Sequence, residues 1–339
     1  ILYIANISEE QIENAENDEF VLKVKQYAAK ENVDFILAVG GGSSIDTAKA
    51  IAHGGANPGT NLWDIWTKKI TVEKVFPVGV ILTISAAGSE MSDSAVLTNE
   101  ELGKKSGFGT PKNRPKFAIM NPELTYTLPK YQIACGIADI MMHTLERYFI
   151  PNQRNRLTDE IAEGVLRTMI AYGPVAVENP SDYDAMSEIM WCGSISHNDL
   201  TGLGRGKDFC VHKFGHALSA KFDVAHGASL TTIWGHWAKY VYENDLERFK
   251  HYAKTVWGIQ TEDAKQAAEE AVELKFSKHA NQRLASRNID LSSAQLKRLE
   301  NGTNKAREKG IRESLVMVDD LAFIVNVPSK TVVTAVNDA

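Results

Sequence analysis

Apolar and polar positions follow two rhythms along this chain, and the change between them falls near Leu128. Before it, short apolar runs stand between glycine-rich or charged segments. Residues 33–39 (VDFILAV) form a continuous β-rich run, the pattern of a central parallel strand covered on both faces. Residues 74–84 and the segment KFAIMNP read the same way, and residues 1–5 are a shorter run of that kind. The acidic stretch SEEQIENAENDE predicts a solvated loop leading into a helix over 20–30, with apolar spacing at Phe20, Val21, Val24 and Tyr27. Residues 94–98 and 105–109 alternate around the polar NEELG, which predicts a β-hairpin. Gly40, Gly41 and Gly42 end the run at 33–39, and Ser43 begins the helix SSIDTAKAIAHG. Strand, glycine turn and helix make half of a βαβ unit. From Pro129 onward apolar residues recur at helical spacing, and strand patterns return only at SLVMV and FIVNV near the end. The pattern predicts an α/β domain over 1–128 and a mainly helical domain over 129–339.

Composition narrows the class without changing this picture. A chain of 339 residues can hold two domains and a sizeable core. At 44% hydrophobic and 24% charged it reads as globular rather than disordered. A net charge of −6 leaves no basic footprint, so nucleic acid is not an expected partner. Cys135, Cys192 and Cys210 are widely spaced and odd in number, the usage of reduced thiols in a cytoplasmic protein. No apolar run has the length of a membrane span, and no signal peptide precedes the first strand.

The candidate chemistry lies on both sides of the boundary. Four of the nine histidines, His212, His216, His226 and His236, fall within residues 208–237. His212 and His216 are four apart and share one helical face, as do Asp139 and His143 in ADIMMHTLERYF. Imidazoles with one carboxylate suit Zn²⁺ or Fe²⁺ and poorly suit Ca²⁺ or Mg²⁺. In GGGSSIDTAK, glycines allow close backbone approach and a helix N-terminus favours an anion; the alternative is a tight turn capped by Ser43. SAAGSE is a second small-residue loop at the carboxyl end of a strand, where ligands of open α/β sheets collect. The other histidines take plainer readings: His53 as a helix cap, His197, His251 and His279 on the surface, and His236 in a core or pocket wall.

GGGSSIDTAKAIA, then GSEMSDSAVLTNEELGKKSGFGTPKNRPKFAIMNP with ADIMMHTLERYF, then VHKFGHALSAKFDVAHGASL, together resemble the iron-containing (group III) alcohol dehydrogenases, and within them the NADPH-dependent butanol dehydrogenases. The resemblance runs from about residue 32 to 148 and from about 208 to 258. It implies a dehydroquinate synthase-like fold, an α/β dinucleotide-binding domain followed by an all-α metal-binding domain. It implies Fe²⁺ or Zn²⁺ on Asp139, His143, His212 and His226. His216, which spacing alone would pair with His212, is implied to stand free beside the metal near the reacting centre. Cofactor positions are implied at Gly41, Gly42, Ser43, Asp46, Thr83, Val96 and Lys116, with NADP(H) favoured over NAD(H).

The resemblance also implies a further strand–helix–strand unit before Ile1, and the chain opens without Met. Ala87 stands where the family has Thr, and Ala217 where butanol dehydrogenases commonly have Glu. The segment after about Lys275 departs from the family, where helices are expected. The expected activity is hydride transfer between NAD(P)H and a small aldehyde or alcohol, with His216 either relaying the alcohol proton, since imidazole titrates near neutrality, or supporting the metal site or pocket wall. A cytoplasmic homodimer without membrane attachment is expected. Two alternatives stand beside this: a zinc polyol dehydrogenase resembling glycerol dehydrogenases, and a metal-binding chain without redox turnover.

Overall fold

A computed structural model of the protein describes residues 2–4, 33–99, 102–151, 154–222, 224–261, 263–272, 298–299, 302–303, 313–318, 321–326 and 331–337. The helix expected over 20–30 and His279 lie outside them. Strands β1 (Leu2–Ile4), β2 (Ile36–Gly40) and β3 (Val78–Leu82) join the later β6 (Phe117–Ile119) in a parallel sheet of order β1-β2-β3-β6. Between β3 and β6 the chain forms the antiparallel hairpin of β4 (Ser94–Asn99) and β5 (Lys104–Gly109), as the alternation predicts.

Helix α1 (Gly42–Ala56) follows the glycine turn. Its Ile45, Ala48, Ile51 and Ala52 pack on Ile36 and Ala38 of β2 and on Val78, Val80 and Leu82 of β3. Each such buried Val or Ile contributes about 1.5–3 kcal/mol. A short helix the sequence pattern does not announce, α2 (Leu62–Trp66), starts at Asn61, whose side chain accepts from Asp64 N–H. It forms a second core with Ala50, Ala95 and Leu97. His53 is no cap: it is buried there, 2.8 Å through Nε2 from Asn113 Oδ1, with its ring edge-on to Trp66 and Phe108.

After Pro129 come α3 (Lys130–Tyr148), α4 (Arg156–Glu178), α5 (Tyr183–His197), α6 (Cys210–Phe222) and α7 (His226–Val241). Asn155 and Asp182 cap the second and third of these by accepting from Thr158 and Ala185 N–H. Ile133, Ile140, Val165, Met169, Met186 and Ile189 make their common core.

The change from strands to helices falls where the pattern puts it, but the compact units divide elsewhere: residues 1–230 form one and 231–339 the other. The reason is that the helices close the core of the sheet. Met190 of α5 packs into the β2–β3–α1 cluster, Ser194 Oγ donates to the buried carboxylate of Glu90, and Arg114 pairs with Asp199 at 2.8 Å.

In the second unit α8 (Leu246–Trp257) and α9 (Ala264–Val272) pack together, with Asp245 capping α8 and Gly258 ending it in the left-handed region. Strands β7 (Glu313–Val318), β8 (Leu321–Asn326) and β9 (Thr331–Asn337) form an antiparallel sheet. The first two coincide with SLVMV and FIVNV. This end of the chain therefore carries strands where the resemblance implies helices; the β-branched run TVVTAV supplies the third strand.

Candidate metal and nucleotide site

Helix α3 places Asp139 and His143 on one buried face, α6 presents His212, and α7 opens on His226. The three imidazoles converge on one carboxylate oxygen. Asp139 Oδ1 lies 3.4 Å from His212 Nε2, 3.7 Å from His143 Nε2 and 3.7 Å from His226 Nε2. Two ligands at about 2.1 Å from a tetrahedral ion stand about 3.4 Å apart, so these separations are those of one coordination sphere. Asp139, His212 and His226 have their donor atoms mutually within 4.8 Å, and His143 joins them through its approach to Asp139. Asp139 Oδ1 and His212 Nε2 are buried with no hydrogen-bond partner. Such orphaned atoms are costly unless something occupies them, and a divalent ion fits this donor set.

The charges agree with that fit. Burial, reinforced by neighbouring histidines and Lys105, pushes His216 down to about 3; burial likewise takes His226 to about 4 despite Asp139. Burial and His197 hold His143 well below its usual value. These rings are neutral, the form in which imidazole ligates metal. Burial works against charge on Asp139, but His226 and His212 keep its carboxyl below the usual range. His212 is the exception: burial opposes charge on it, yet Asp139 and Glu146 outweigh burial and raise the ring to about 9, so an ion binding at Nε2 would have to displace a proton.

His216 lies one turn beyond His212 with its ring stacked 4.9 Å from that of His226. It faces a cavity of about 650 Å³ that runs from Trp63 on α2, past Leu102 and Gly103 of the hairpin turn and Lys104 and Lys105 of β5, to Lys213 and Ala217 on α6. The volume is that of an ordinary small-molecule site. The expectation that His216 titrates near neutrality is not met, because burial and nearby positive charge outweigh Asp139.

Most of the implied nucleotide positions gather at the carboxyl edge of the sheet. Gly41 and Gly42 turn from β2 into α1, and Thr83 leaves β3 beside them, donating its N–H to Gly40 O at 3.1 Å. A Cβ at Gly41 would lie 2.0 Å from Ile84 Cγ2, so the bare backbone is required by packing as well as by any ligand. Ser43 is exposed in the first turn of α1. Asp46 is already engaged: Oδ1 accepts from Ser89 Oγ at 2.6 Å and Oδ2 from Val96 N–H at 2.8 Å. Lys49 Nζ, buried beneath it, donates to Ser89 O, Ser89 Oγ, Ser92 O and Ser94 O at 2.7–3.3 Å. Lys116 stands apart. Its N–H donates to Val78 O at the amino end of β3, a strand length of about 13 Å from the glycine turn at ~3.3 Å per residue. The parallel pairing of β6 with β3 puts it there.

Two more histidines, besides His53, differ from their sequence reading. His197 is not a surface residue; its ring packs 4.0 Å from that of His143, and its Nδ1 is buried. His236 is exposed rather than part of a core or pocket wall, whereas His251 is exposed as read. Sequence reasoning also passes over Glu146, a buried carboxylate against His212 Nδ1. Its spacing, three residues after His143 and seven after Asp139, is the signal that could have found it.

Comparison with known proteins agrees with this fold. Residues 5–122 match the iron-containing alcohol dehydrogenase model, and residues 133–307 match the C-terminal model of the Fe-containing alcohol dehydrogenase family. The chain is 40% identical over 277 residues to NADH-dependent butanol dehydrogenase A of Clostridium acetobutylicum, covering 80% of this chain and 71% of that one. It is 35% identical over 246 residues to an NADPH-dependent aldehyde reductase of Escherichia coli, covering 71% of this chain and 63% of the relative. The crystal structure of an NADH-dependent butanol dehydrogenase A from Thermotoga maritima superposes with a TM-score of 0.69 at 33% identity, over 85% of this chain and 70% of that one. No described helix is long and apolar enough to cross a membrane. With a matched fold, two family models and a shared sequence over most of its length, the chain belongs to the iron-containing alcohol dehydrogenase family.

Proposed function

We propose that this chain is a metal-dependent alcohol dehydrogenase or aldehyde reductase acting on small primary alcohols and aldehydes such as butanol and butanal. The observation that carries this reading is the convergence of Asp139, His143, His212 and His226 on one buried point beside an open cavity. These four residues would hold Fe²⁺ or Zn²⁺, since a donor set of three nitrogens and one oxygen accommodates either. When bound, the ion supplies Lewis acidity toward the substrate oxygen. Nicotinamide supplies or takes the hydride, and the protein's part is orientation.

The chain's own contributions follow from its residues. The turn at Gly41, Gly42 and Ser43, opening α1, would seat the cofactor's pyrophosphate on backbone N–H groups. Thr83 and Val96 would line the same crevice, while Asp46 would act through the hairpin it fastens. His216, neutral and facing the cavity, offers an unprotonated ring nitrogen to the alcohol's proton. Trp63 and Leu102 are the large apolar side chains of the cavity lining against which a short alkyl chain would rest.

The preference for NADP(H) over NAD(H) is supported by the name of the aldehyde reductase and opposed by that of the butanol dehydrogenase, so parallel titration with both cofactors decides it. The dispersed free thiols of Cys135, Cys192 and Cys210 support a cytoplasmic setting, and a homodimer belongs to the same reading. The test is nicotinamide absorbance with butanal, together with metal analysis of the purified protein. Turnover with about one bound metal per chain supports the reading. Turnover with glycerol alone transfers it to a polyol dehydrogenase, and stoichiometric metal without turnover reduces it to metal binding.

A further inference from the structure

Glu146 lies on α3 two turns beyond Asp139 and is 1% exposed. Its carboxylate makes three contacts, and all of them reach the first turn of α6. Oε1 accepts from Val211 N–H at 2.6 Å, Oε2 accepts from His212 N–H at 3.2 Å, and Oε2 also faces His212 Nδ1. Asp208 N–H adds a longer bond to the backbone carbonyl of Glu146 at 3.4 Å. The beginning of α6 is thus fastened to α3 by one side chain. A carboxylate can only accept hydrogen bonds, so the ring nitrogen facing it must carry a proton. A ligating imidazole has one bare nitrogen, and here that nitrogen is Nε2, the atom aimed at Asp139 Oδ1 from 3.4 Å.

We propose that Glu146 is the positioning residue of the metal centre: it holds His212 as the Nδ1–H tautomer, turns Nε2 toward Asp139, and caps α6 with the same two oxygens. The inference rests on the reading of Asp139, His143, His212 and His226 as a metal site. Two observations favour a role beyond helix capping. A carboxylate that served only as a cap would not need its second oxygen on the imidazole. Glu146 also shares α3 with Asp139 and His143, so one helix carries two donors and orients a third from α6. His143 and His226 each have Nδ1 buried without a hydrogen-bond partner, so among the three imidazoles this carboxylate support belongs to His212.

The test compares Zn²⁺ binding by the full-length protein and by Glu146→Gln. The glutamine oxygen can still accept from α6, but an amide NH₂ facing Nδ1 requires that nitrogen to be bare, which turns an N–H toward Asp139. We expect Zn²⁺ affinity, read by competition with a chromophoric chelator, to fall by about 10- to 100-fold, with helical circular dichroism retained. In Zn²⁺-loaded protein labelled with ¹⁵N-histidine, a low-field imidazole proton on His212 Nδ1 should be present in the wild type and lost in the variant.

Affinity within about twofold of wild type, where loss of such a partner should cost at least tenfold, overturns the proposal alone. Failure of the wild type to take up Zn²⁺ overturns the metal reading beneath it. If Glu146→Gln does not fold, the wild-type spectrum decides: a His212 that binds Zn²⁺ through Nδ1 and keeps its proton on Nε2 rules the proposal out.

Discussion

A Cβ added at Gly227 would lie 2.1 Å from the carbonyl oxygen of Cys135, so the first turn of α7 rests directly on the backbone of α3. This close approach sets how near His226, the preceding residue, comes to Asp139. Gly227→Ala should push the start of α7 outward and open the 3.7 Å separation between those two side chains. Overpacking of this kind costs about 1–3 kcal/mol. Metal affinity should fall on the order of tenfold or more, as on loss of other groups that hold ligands in place. Metal titration and thermal melting of the one variant check both effects, and unchanged metal affinity would show that His226 does not need the contact.

His226→Ala and His216→Ala should separate, although their rings stack. The first removes a donor facing Asp139 and should lose metal and activity together. The second should keep its metal and lose turnover on the order of 10²-fold, because a proton acceptor beside the cavity is gone. Since burial, His226 and Lys105 take His216 down to about 3, the ring stays unprotonated through neutral pH. The profile of kcat between about pH 5 and pH 8 should therefore show no limb that depends on His216. A wild-type limb near the ordinary histidine value that disappears in His216→Ala would contradict this.

Lys49 gives a pH dependence of stability. Burial lowers its ammonium from 10.5 to about 8, against the pull of Asp46. The folded value is below the unfolded one, so between those limits the unfolded chain binds more protons and stability rises with pH. The rise attributable to this side chain is about 3 kcal/mol over the whole window. Lys49→Met should abolish that increment, and the variant should be less stable than wild type because the buried oxygens of Ser89, Ser92 and Ser94 lose their donor. Denaturant titrations across the window measure both.

The two demands on Gly41 can be separated by a pair of substitutions. Gly41→Ala puts a methyl group against Ile84 and should destabilise the protein by about 1–3 kcal/mol. Adding Ile84→Ala removes the collision and should recover part of that loss. If the turn seats a phosphate, cofactor affinity stays weak in the double variant, because the methyl group still crowds the backbone. Cofactor affinity restored along with stability would make the glycine a packing residue only.

The parallel strands and the hairpin are legible in the sequence because covered strands are written as unbroken apolar runs and exposed hairpins as alternation. Asp139 with His143 is legible too, since four residues on a helix fix a common face. What is not legible depends on distant packing. The burial of His197 against His143 follows from where α5 ends, and nothing local to its polar neighbours reports that. Lys116 reads as a phosphate contact from its motif, yet its strand's direction sends it to the other end of the sheet. Glu146 looks like any solvated helical glutamate until α6 arrives above it. Asp46 reads as a cofactor contact, and its two oxygens prove to be satisfied by Ser89 and Val96.

Met190, Ser194 and Asp199 tie the helical half of the site to the sheet. The strand-to-helix change near Leu128 is therefore a poor place to cut the chain. A piece ending there would leave the β2–β3–α1 core without Met190 and the Glu90 carboxylate buried without its hydroxyl donor. Residues beginning at 129 would carry Asp139 and the histidines but leave Gly136 without Ser85 to rest on. Neither half is a module that could be exchanged with another dehydrogenase at that point. Chimaeras between relatives should be joined beyond α7, so that the nucleotide turn and the whole histidine cluster, His226 included, are inherited from one parent.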